Sequence, residues 1–232
     1  MRLADIKAVT FDYFGTLVDV ERGASAGMAQ VLAAIGRADS DPREAYLRWD
    51  ELNVQRYRSG PYRRYRDVAA EAMAACLAPL LDTPLSSSRS TELTAMFLDA
   101  LAELSPPQPA VPAVLDALRG KGLSLMPITN MDSDLWRRTA LVEYFPQVTT
   151  AEMAQAYKPS ERIFRRALER LDLPPSAILH VAISPWADIE GAKPLGLAVA
   201  WINREHERLG PWTPRPDYEF VDLVGVQALL AS

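Results

Sequence analysis

Several polar residues of this 232-residue chain stand where a parallel sheet would bring catalytic groups together. Asp12 ends the first predicted strand, and the pair Thr129 and Asn130 ends a later one. Lys158 lies in the loop AYKPSERIF, and Asp188 lies in the segment ISPWADIEGAKPLG. Ligands of open α/β sheets bind outside the carboxyl ends of the strands, so we expect these side chains to share one site. Each residue alone is more typical of a turn, a helix cap or a solvated loop.

The pattern of apolar residues predicts the elements that position these side chains. A strand over residues 6–12 precedes four helices between about residues 22 and 104, each with apolar residues at helical spacing. The proline-rich segment SPPQPAVP ends this block, and strands then alternate with helices, which is typical of βαβ units. We therefore predict an α/β fold with a doubly wound parallel sheet, built from residues 1–17 and 108–232. Residues 18–107 are predicted to be an inserted helical cap. The later strands are predicted at 123–129, near QVTT, at 177–183 and at 197–202.

Composition and charge exclude several classes of protein. With 49% hydrophobic and 24% charged residues, the chain is typical of a folded globular protein. Its net charge of −5 argues against nucleic-acid and anionic-membrane partners. We interpret the arginine-rich stretch at residues 56–66 as a solvated helix face, a dimer contact or a rim that attracts anions. Without a long apolar window or a signal peptide, we expect a cytoplasmic protein with no membrane partner.

The chain is also poor in residues that bind transition metals. Its single cysteine, Cys76, lies in an apolar run and is assigned to the core, so neither an intrachain disulfide nor a cysteine zinc site can form. The two histidines, His180 and His206, are too few for a histidine-rich metal site, and we interpret both as structural.

In their order and context, the polar residues resemble the four motifs of the haloacid dehalogenase superfamily. The helical insertion after the first strand matches the place and size of that family's cap. The resemblance implies a Rossmann-like core with an α-helical cap that closes over the site. The matching residues are Asp12 with Phe14-Gly15-Thr16-Leu17, Thr129-Asn130, Lys158-Pro159, and Asp188 with Gly191-Ala192.

The resemblance implies a role for each of these residues. Asp12 would be the nucleophile, because a carboxylate can split one displacement into formation and hydrolysis of an ester. Lys158 would hold Asp12 ionised and in place, and Asp188 would orient Lys158 or activate the water of the second step. Thr16 and Thr129 would hydrogen-bond to the nucleophile or to the anionic end of the substrate.

Two departures separate the chain from the magnesium-dependent phosphatases that form most of the superfamily. Phe14 stands where a phosphatase has a second aspartate, its general acid. Ala182-Ile183-Ser184 stands where the phosphatase motif reads Gly-Asp-Ser, whose aspartate binds Mg²⁺. Magnesium usually requires carboxylate ligands. We therefore expect no metal and no cofactor, and we keep a magnesium-dependent phosphatase as an alternative.

An aromatic residue two positions after the nucleophile resembles the 2-haloacid dehalogenase branch. That branch implies a metal-independent hydrolase in which aspartate attacks C2 of a small carboxylic acid and gives a 2-hydroxy acid. Asn130 and the cap residue Arg48 would cradle the halide. The substrate-binding residues that we predict are Phe14, Thr16, Arg48, Trp49, Thr129, Asn130, Ser184 and Trp186.

Two further departures keep other functions open. Ile183 and Pro185 stand where dehalogenases carry the first serine and the asparagine of a Ser-Ser-Asn stretch. One alternative is ring opening of L-azetidine-2-carboxylate, in which Trp49, Tyr46 or Trp186 would give an aromatic face to a cationic ring amine. Another is a catalytically lapsed binding or partner protein. Dimers are common in the dehalogenase branch, so a homodimer is a further expectation that we keep open.

Overall fold

Six parallel strands form a single sheet in the computed structural model, which describes residues 3–231. The strands are β1 (Ala8–Phe11), β2 (Ser124–Thr129), β3 (Thr149–Thr150), β4 (Ile178–Ala182), β5 (Ala198–Ile202) and β6 (Tyr218–Phe220). Their order in the sheet is β3-β2-β1-β4-β5-β6. Every residue of β1, β4 and β5 is buried, as expected for strands covered on both faces.

Helices connect the strands, and the four longest follow β1. The helices are α1 (Val20–Ala34), α2 (Pro42–Arg58), α3 (Tyr65–Leu77), α4 (Ser87–Leu104), α5 (Val111–Gly120), α6 (Ser133–Trp136), α7 (Ala151–Ala154), α8 (Glu161–Leu171), α9 (Glu190–Ala192) and α10 (Leu223–Leu229). Short 3₁₀ segments lie at Leu3–Asp5, Ala78–Leu80, Val142–Tyr144, Pro175–Ala177 and Lys193–Leu195, and a π-helical turn lies at Pro185–Ile189.

Local sequence explains where the long helices begin. The carboxylate of Asp19 accepts a hydrogen bond from the backbone N–H of Arg22 and caps α1. Asp41 caps α2 in the same way and is followed by proline at the first helical position. Ser86 caps α4. Aspartate and serine are favoured there because their side chains satisfy backbone N–H groups that have no partner inside the helix.

The sheet order places the ends of three strands side by side. β1 pairs with β2 on one side and with β4 on the other, so Phe11 lies beside both Pro127 and Val181. The chain leaves β1 toward β2 on one side and leaves β4 toward β5 on the other, which makes the carboxyl ends of β1 and β4 a topological switch point. Asp12, the residue after β1, therefore lies where ligands of this class of fold bind.

The described chain divides into two compact units. The first contains the sheet and consists of residues 3–18, 107–130 and 143–231. The second contains the four long helices and consists of Asp19–Pro106 and Met131–Val142. The contacts thus group residues 131–142 with the helices, whereas the sequence pattern assigns this segment to the core. That the helical unit acts as a cap stays a prediction.

Buried polar contacts hold residues 131–142 within the helical unit. The carboxylate of Asp132 is fully buried and accepts hydrogen bonds from the backbone N–H groups of Tyr65 and Arg66, each at 3.1 Å. It also accepts one from Nε of Arg66 at 3.2 Å. Further along, Arg138 pairs with Asp99 and Glu103 of α4. These contacts join elements far apart in sequence, so local pattern does not reveal them.

The predicted α/β fold with a doubly wound parallel sheet is confirmed, and so are the four helices after β1. The helix predicted near residues 186–195 instead begins as the π-helical turn and ends as a 3₁₀ turn. The sequence pattern does not indicate β6, because two of its three residues are only half-buried, Glu219 is exposed, and the strand follows a proline-containing loop. Across residues 3–231, no helix combines the length and the apolarity that a membrane span requires.

We predict that Asp132→Ala lowers the free energy of unfolding by about 2 kcal/mol, because it leaves two backbone N–H groups and the Arg66 guanidinium without their acceptor. Urea unfolding followed by circular dichroism measures this change. Asp134→Ala is the matched control, since it removes an exposed partner of the same arginine and is expected to cost less than about 0.5 kcal/mol. Equal effects of the two substitutions would contradict the anchoring role of Asp132.

Candidate active site

Asp12 is held by a donor on each of its carboxylate oxygens. Oδ1 lies 2.6 Å from Nζ of Lys158, and Oδ2 accepts a hydrogen bond from the Thr16 hydroxyl at 2.6 Å. The backbone N–H of Asp12 donates to the carbonyl of Val181 at the end of β4. The side chain is thus fixed in position, and 8% of the residue is exposed.

Lys158 joins two carboxylates inside the protein. Its ammonium group lies 2.6 Å from Asp12 and 2.8 Å from Oδ1 of Asp188, and the lysine is 2% exposed. A buried charge is tolerated when it is paired and hydrogen-bonded, and here one cation serves two anions. With both carboxylates ionised, the group carries a net charge of −1.

The two carboxylates have pKa values shifted in opposite directions. Burial raises the pKa of Asp12 by more than the attraction of Lys158 lowers it, and the nearby charge of Asp188 raises it further. Burial also opposes ionisation of Asp188, but Lys158 and His180 together hold the pKa of that carboxyl below its usual range. Burial disfavours the Lys158 ammonium, yet both carboxylates raise its pKa above the ordinary value.

Thr16 links Asp12 to the loop after β4. Its hydroxyl donates to Asp12 and accepts a hydrogen bond from the backbone N–H of Ile183 at 3.1 Å. The carbonyl of Ile183 in turn accepts one from Nε1 of Trp201 at 3.0 Å. Ile183, where dehalogenases carry serine, therefore supports the site through its backbone.

Asn130 is engaged with the backbone of the lysine loop. Its Oδ1 accepts a hydrogen bond from the N–H of Lys158 at 2.8 Å, and its Nδ2 donates to the carbonyl of the same residue at 3.4 Å. Thr129 is buried at the end of β2. The observed contacts of Asn130 are those of a residue that positions Lys158, and its predicted halide contact stays a prediction.

Three other predicted residues lie in loops of the sheet unit. The Ser184 hydroxyl accepts a hydrogen bond from the backbone N–H of Ala187 and caps the π-helical turn. Phe14 and Trp186 are both partly exposed. Their predicted contacts with substrate stay predictions.

Arg48 and Trp49 belong to α2 of the helical unit. Arg48 is exposed, whereas Trp49 is 1% exposed and packs edge-on against Phe97 with ring centroids 4.5 Å apart. The indole N–H of Trp49 donates to the carbonyl of Ala69. Tyr46, the other aromatic side chain considered in this helix, is 7% exposed. These contacts are those of core residues of the helical unit.

The glycine of the last motif is required by close packing. A Cβ atom at Gly191 would lie 2.3 Å from Cε2 of Phe164 and 2.8 Å from the carbonyl oxygen of Pro159. Both distances are shorter than real Cβ contacts, so a larger residue would displace the loop that carries Lys158. The motif glycine thereby supports the position of the ammonium group.

Two residues that contact this site were not among the predicted site residues. His180 is fully buried and lies 3.0 Å from Oδ1 of Asp188 through Nε2. Arg204 donates to the backbone carbonyls of Gly15 and Thr16, at 2.6 and 2.9 Å, and so fixes the loop after β1. The sequence signal for His180 is a histidine within a predicted buried strand. Nothing in the local sequence indicates the contacts of Arg204.

The haloacid dehalogenase-like hydrolase family matches residues 6–196, which include all four motifs. The chain belongs to this family. The predicted family is thus confirmed. The relatives of this hydrolase include dehalogenases and a nucleotidase. (S)-2-haloacid dehalogenase 1 of Pseudomonas sp. (strain CBS-3) is 30% identical over 86% of this chain and 85% of its own length. Pyrimidine 5'-nucleotidase YjjG of Escherichia coli (strain K12) is 34% identical over 57% of this chain and 63% of its own length.

A solved structure extends the likeness of fold to the whole chain. The L-2-haloacid dehalogenase of Xanthobacter autotrophicus with chloropropionic acid covalently bound has a TM-score of 0.81 and 22% sequence identity. The match covers 98% of this hydrolase and 99% of that chain. At this identity, the comparison establishes the fold.

We predict that activity of this hydrolase is lost, as the pH falls, at a pH above the ordinary aspartate value of 3.8, because Asp12, the predicted nucleophile, would have to be ionised and its pKa is raised. Thr16→Val should move this loss to still higher pH, since the threonine hydroxyl stabilises the carboxylate, whereas Thr16→Ser should not move it. The measurement is kcat/KM against pH, with circular dichroism to establish that the protein stays folded. An acid limb at or below 3.8 would refute the raised pKa.

Proposed function

We propose that this hydrolase is a metal-independent 2-haloacid dehalogenase that converts small 2-halogenated carboxylic acids into 2-hydroxy acids. One observation carries the proposal. The groups needed for attack by aspartate are assembled around Asp12, while Phe14 and Ile183 occupy the two positions where the phosphatase pattern has further carboxylates.

The first step is displacement at carbon. A carboxylate oxygen of Asp12 attacks C2 of the substrate, a carbon–oxygen bond forms, and the halide leaves with the electron pair of the carbon–halogen bond. The leaving group needs no proton, so no general acid is required. Lys158 keeps the nucleophile oriented, and orientation of this kind accounts for a large part of enzymatic rate enhancement.

The second step is hydrolysis of the aspartyl ester. Water attacks Cγ of Asp12, and Asp188 accepts a proton from it. The acyl–oxygen bond then breaks, and the product leaves as a 2-hydroxy acid after its oxygen is protonated. Oδ1 of Asp188 already receives two hydrogen bonds. Oδ2 is buried and receives none from residues 3–231, so it has acceptor capacity for that water.

The relatives support displacement at carbon. The relative from Pseudomonas is a dehalogenase of (S)-2-haloacids, and the structure from Xanthobacter autotrophicus holds chloropropionic acid covalently. We propose the same class of substrate here. We also propose that the helical unit forms the cap, where Arg48 would contact the halide, and that the protein acts in the cytoplasm.

The phosphatase alternative has less support. Within residues 3–231, no cluster of three or more histidine, cysteine, aspartate or glutamate side chains is placed to hold a metal ion. Asp12 and Asp188 both face the Lys158 ammonium, so this donor set fits magnesium poorly.

The two remaining alternatives also lose support from the geometry. A lapsed enzyme would be favoured by a lysine that fails to reach Asp12, but the two groups are 2.6 Å apart. A cationic ring amine would need an exposed aromatic face, and Trp49 and Tyr46 are buried in the helical unit. Trp186 is the remaining aromatic candidate for such a face.

We expect the purified protein to release chloride from (S)-2-chloropropionate at an unchanged rate in EDTA. Asp12→Asn should reduce the rate by at least about a thousandfold, because it removes the nucleophile. Chloride release and 2-hydroxy acid formation are measured together, with L-azetidine-2-carboxylate and p-nitrophenyl phosphate as the competing substrates. Phosphate release that requires magnesium and Asp12, with no chloride release, would replace the proposal by the phosphatase alternative.

A further inference from the structure

His180 is a buried histidine that takes no direct part in the proposed formation or hydrolysis of the aspartyl ester. It lies in the middle of β4, directly beside Thr10 of β1 in the register of the sheet. Both of its ring nitrogens have partners. Nδ1 lies 2.9 Å from the Thr10 hydroxyl, and Nε2 lies 3.0 Å from Oδ1 of Asp188. Burial of an imidazole is costly unless its nitrogens are paired, and here the pairs lead to the active site.

The chemistry of Asp188 fixes the direction of one of these hydrogen bonds. An ionised carboxylate only accepts, so Nε2 of His180 carries a proton and donates to Asp188. When the imidazole is neutral, Nδ1 accepts from the Thr10 hydroxyl, and a chain of donors then runs from Thr10 through His180 to Asp188. Phe164 packs edge-on against the imidazole at 5.4 Å and restrains the plane of the ring.

This chain acts on one oxygen of Asp188. Oδ1 accepts from His180 and from Lys158, while Oδ2 is buried and receives no hydrogen bond from residues 3–231. Two donors on one oxygen restrain rotation of the carboxylate, so the oxygen with free capacity keeps a single position. Lys158 cannot supply this restraint alone, because it is shared with Asp12.

We propose that His180 is a positioning residue for hydrolysis of the ester, since it holds Asp188 with Oδ2 free to accept the proton of water. The inference rests on the proposed function. Formation of the ester uses Asp12 and does not consume a base, whereas its hydrolysis requires one. Loss of the His180 N–H should therefore slow the second step far more than the first.

The test separates the two steps in four variants of the full chain. His180→Phe removes both hydrogen bonds with little change in shape, His180→Gln keeps an N–H donor, and Thr10→Val removes only the outer hydroxyl. His206→Gln, at an exposed histidine, is the matched control. With (S)-2-chloropropionate, rapid quench measures chloride release in the first turnover, and intact mass measures the ester on the protein.

We expect His180→Phe to lower kcat about tenfold to a hundredfold, the size associated with a lost hydrogen bond to a charged group. First-turnover chloride release should change less than about threefold, so the ester should accumulate. His180→Gln should recover most of kcat. Thr10→Val should show a smaller loss in the same direction, and His206→Gln should match the unsubstituted protein in both steps.

Other results would overturn the inference. Equal slowing of both steps in His180→Phe, or no accumulation of ester, would make His180 a residue of the core alone. If His180→Phe does not fold, the other two variants decide. The positioning role is rejected if Thr10→Val leaves the relative rates of ester formation and ester hydrolysis unchanged. It is also rejected if His180→Gln fails to support hydrolysis. Failure of the proposed function would look different, because the unsubstituted protein itself would then release no chloride.

Discussion

One buried ammonium group, that of Lys158, determines how the rest of the site is built. It lies between the carboxylates of Asp12 and Asp188, and all three groups are removed from solvent. Two buried carboxylates that share one cation have different pKa values when their other partners differ. Asp188 accepts an additional hydrogen bond from His180 and has the lower pKa of the two carboxyls. Asp12 instead accepts a hydrogen bond from the neutral hydroxyl of Thr16. The environment thus gives two identical side chains different chemistry.

The order of the strands brings the residues around Lys158 together. Because β1 lies between β2 and β4, three neighbouring strand ends meet at the site. They supply Asp12, Asn130, which contacts the backbone of Lys158, and Ile183, whose N–H donates to Thr16. Close packing at Gly191 sets the path of the lysine loop. All of these contacts are between groups of the protein, so the geometry around Asp12 is set by the fold.

The sequence alone predicted the order of elements and the residues that meet around Asp12, because strand periodicity and the position of Asp12 after β1 are local features. It could not predict the contacts of His180, since Thr10 and His180 are 170 positions apart and meet only through strand pairing. The contribution of Arg204 depends equally on tertiary contact with Gly15. The family pattern marks Ile183 as a departure, because a dehalogenase has serine there. The backbone N–H of Ile183 nevertheless donates a hydrogen bond to Thr16 and so supports the site.

The most direct test of the central claim follows oxygen in a single turnover. With enzyme in excess over (S)-2-chloropropionate in ¹⁸O-water, attack by Asp12 at C2 and hydrolysis at its Cγ place the ¹⁸O atom in Asp12. The product then carries the original oxygen of the aspartate. Peptide mass spectrometry should find Asp12 heavier by one ¹⁸O atom and the 2-hydroxy acid unlabelled. An unlabelled Asp12 with labelled product would mean that water attacks the substrate directly, and it would contradict the account.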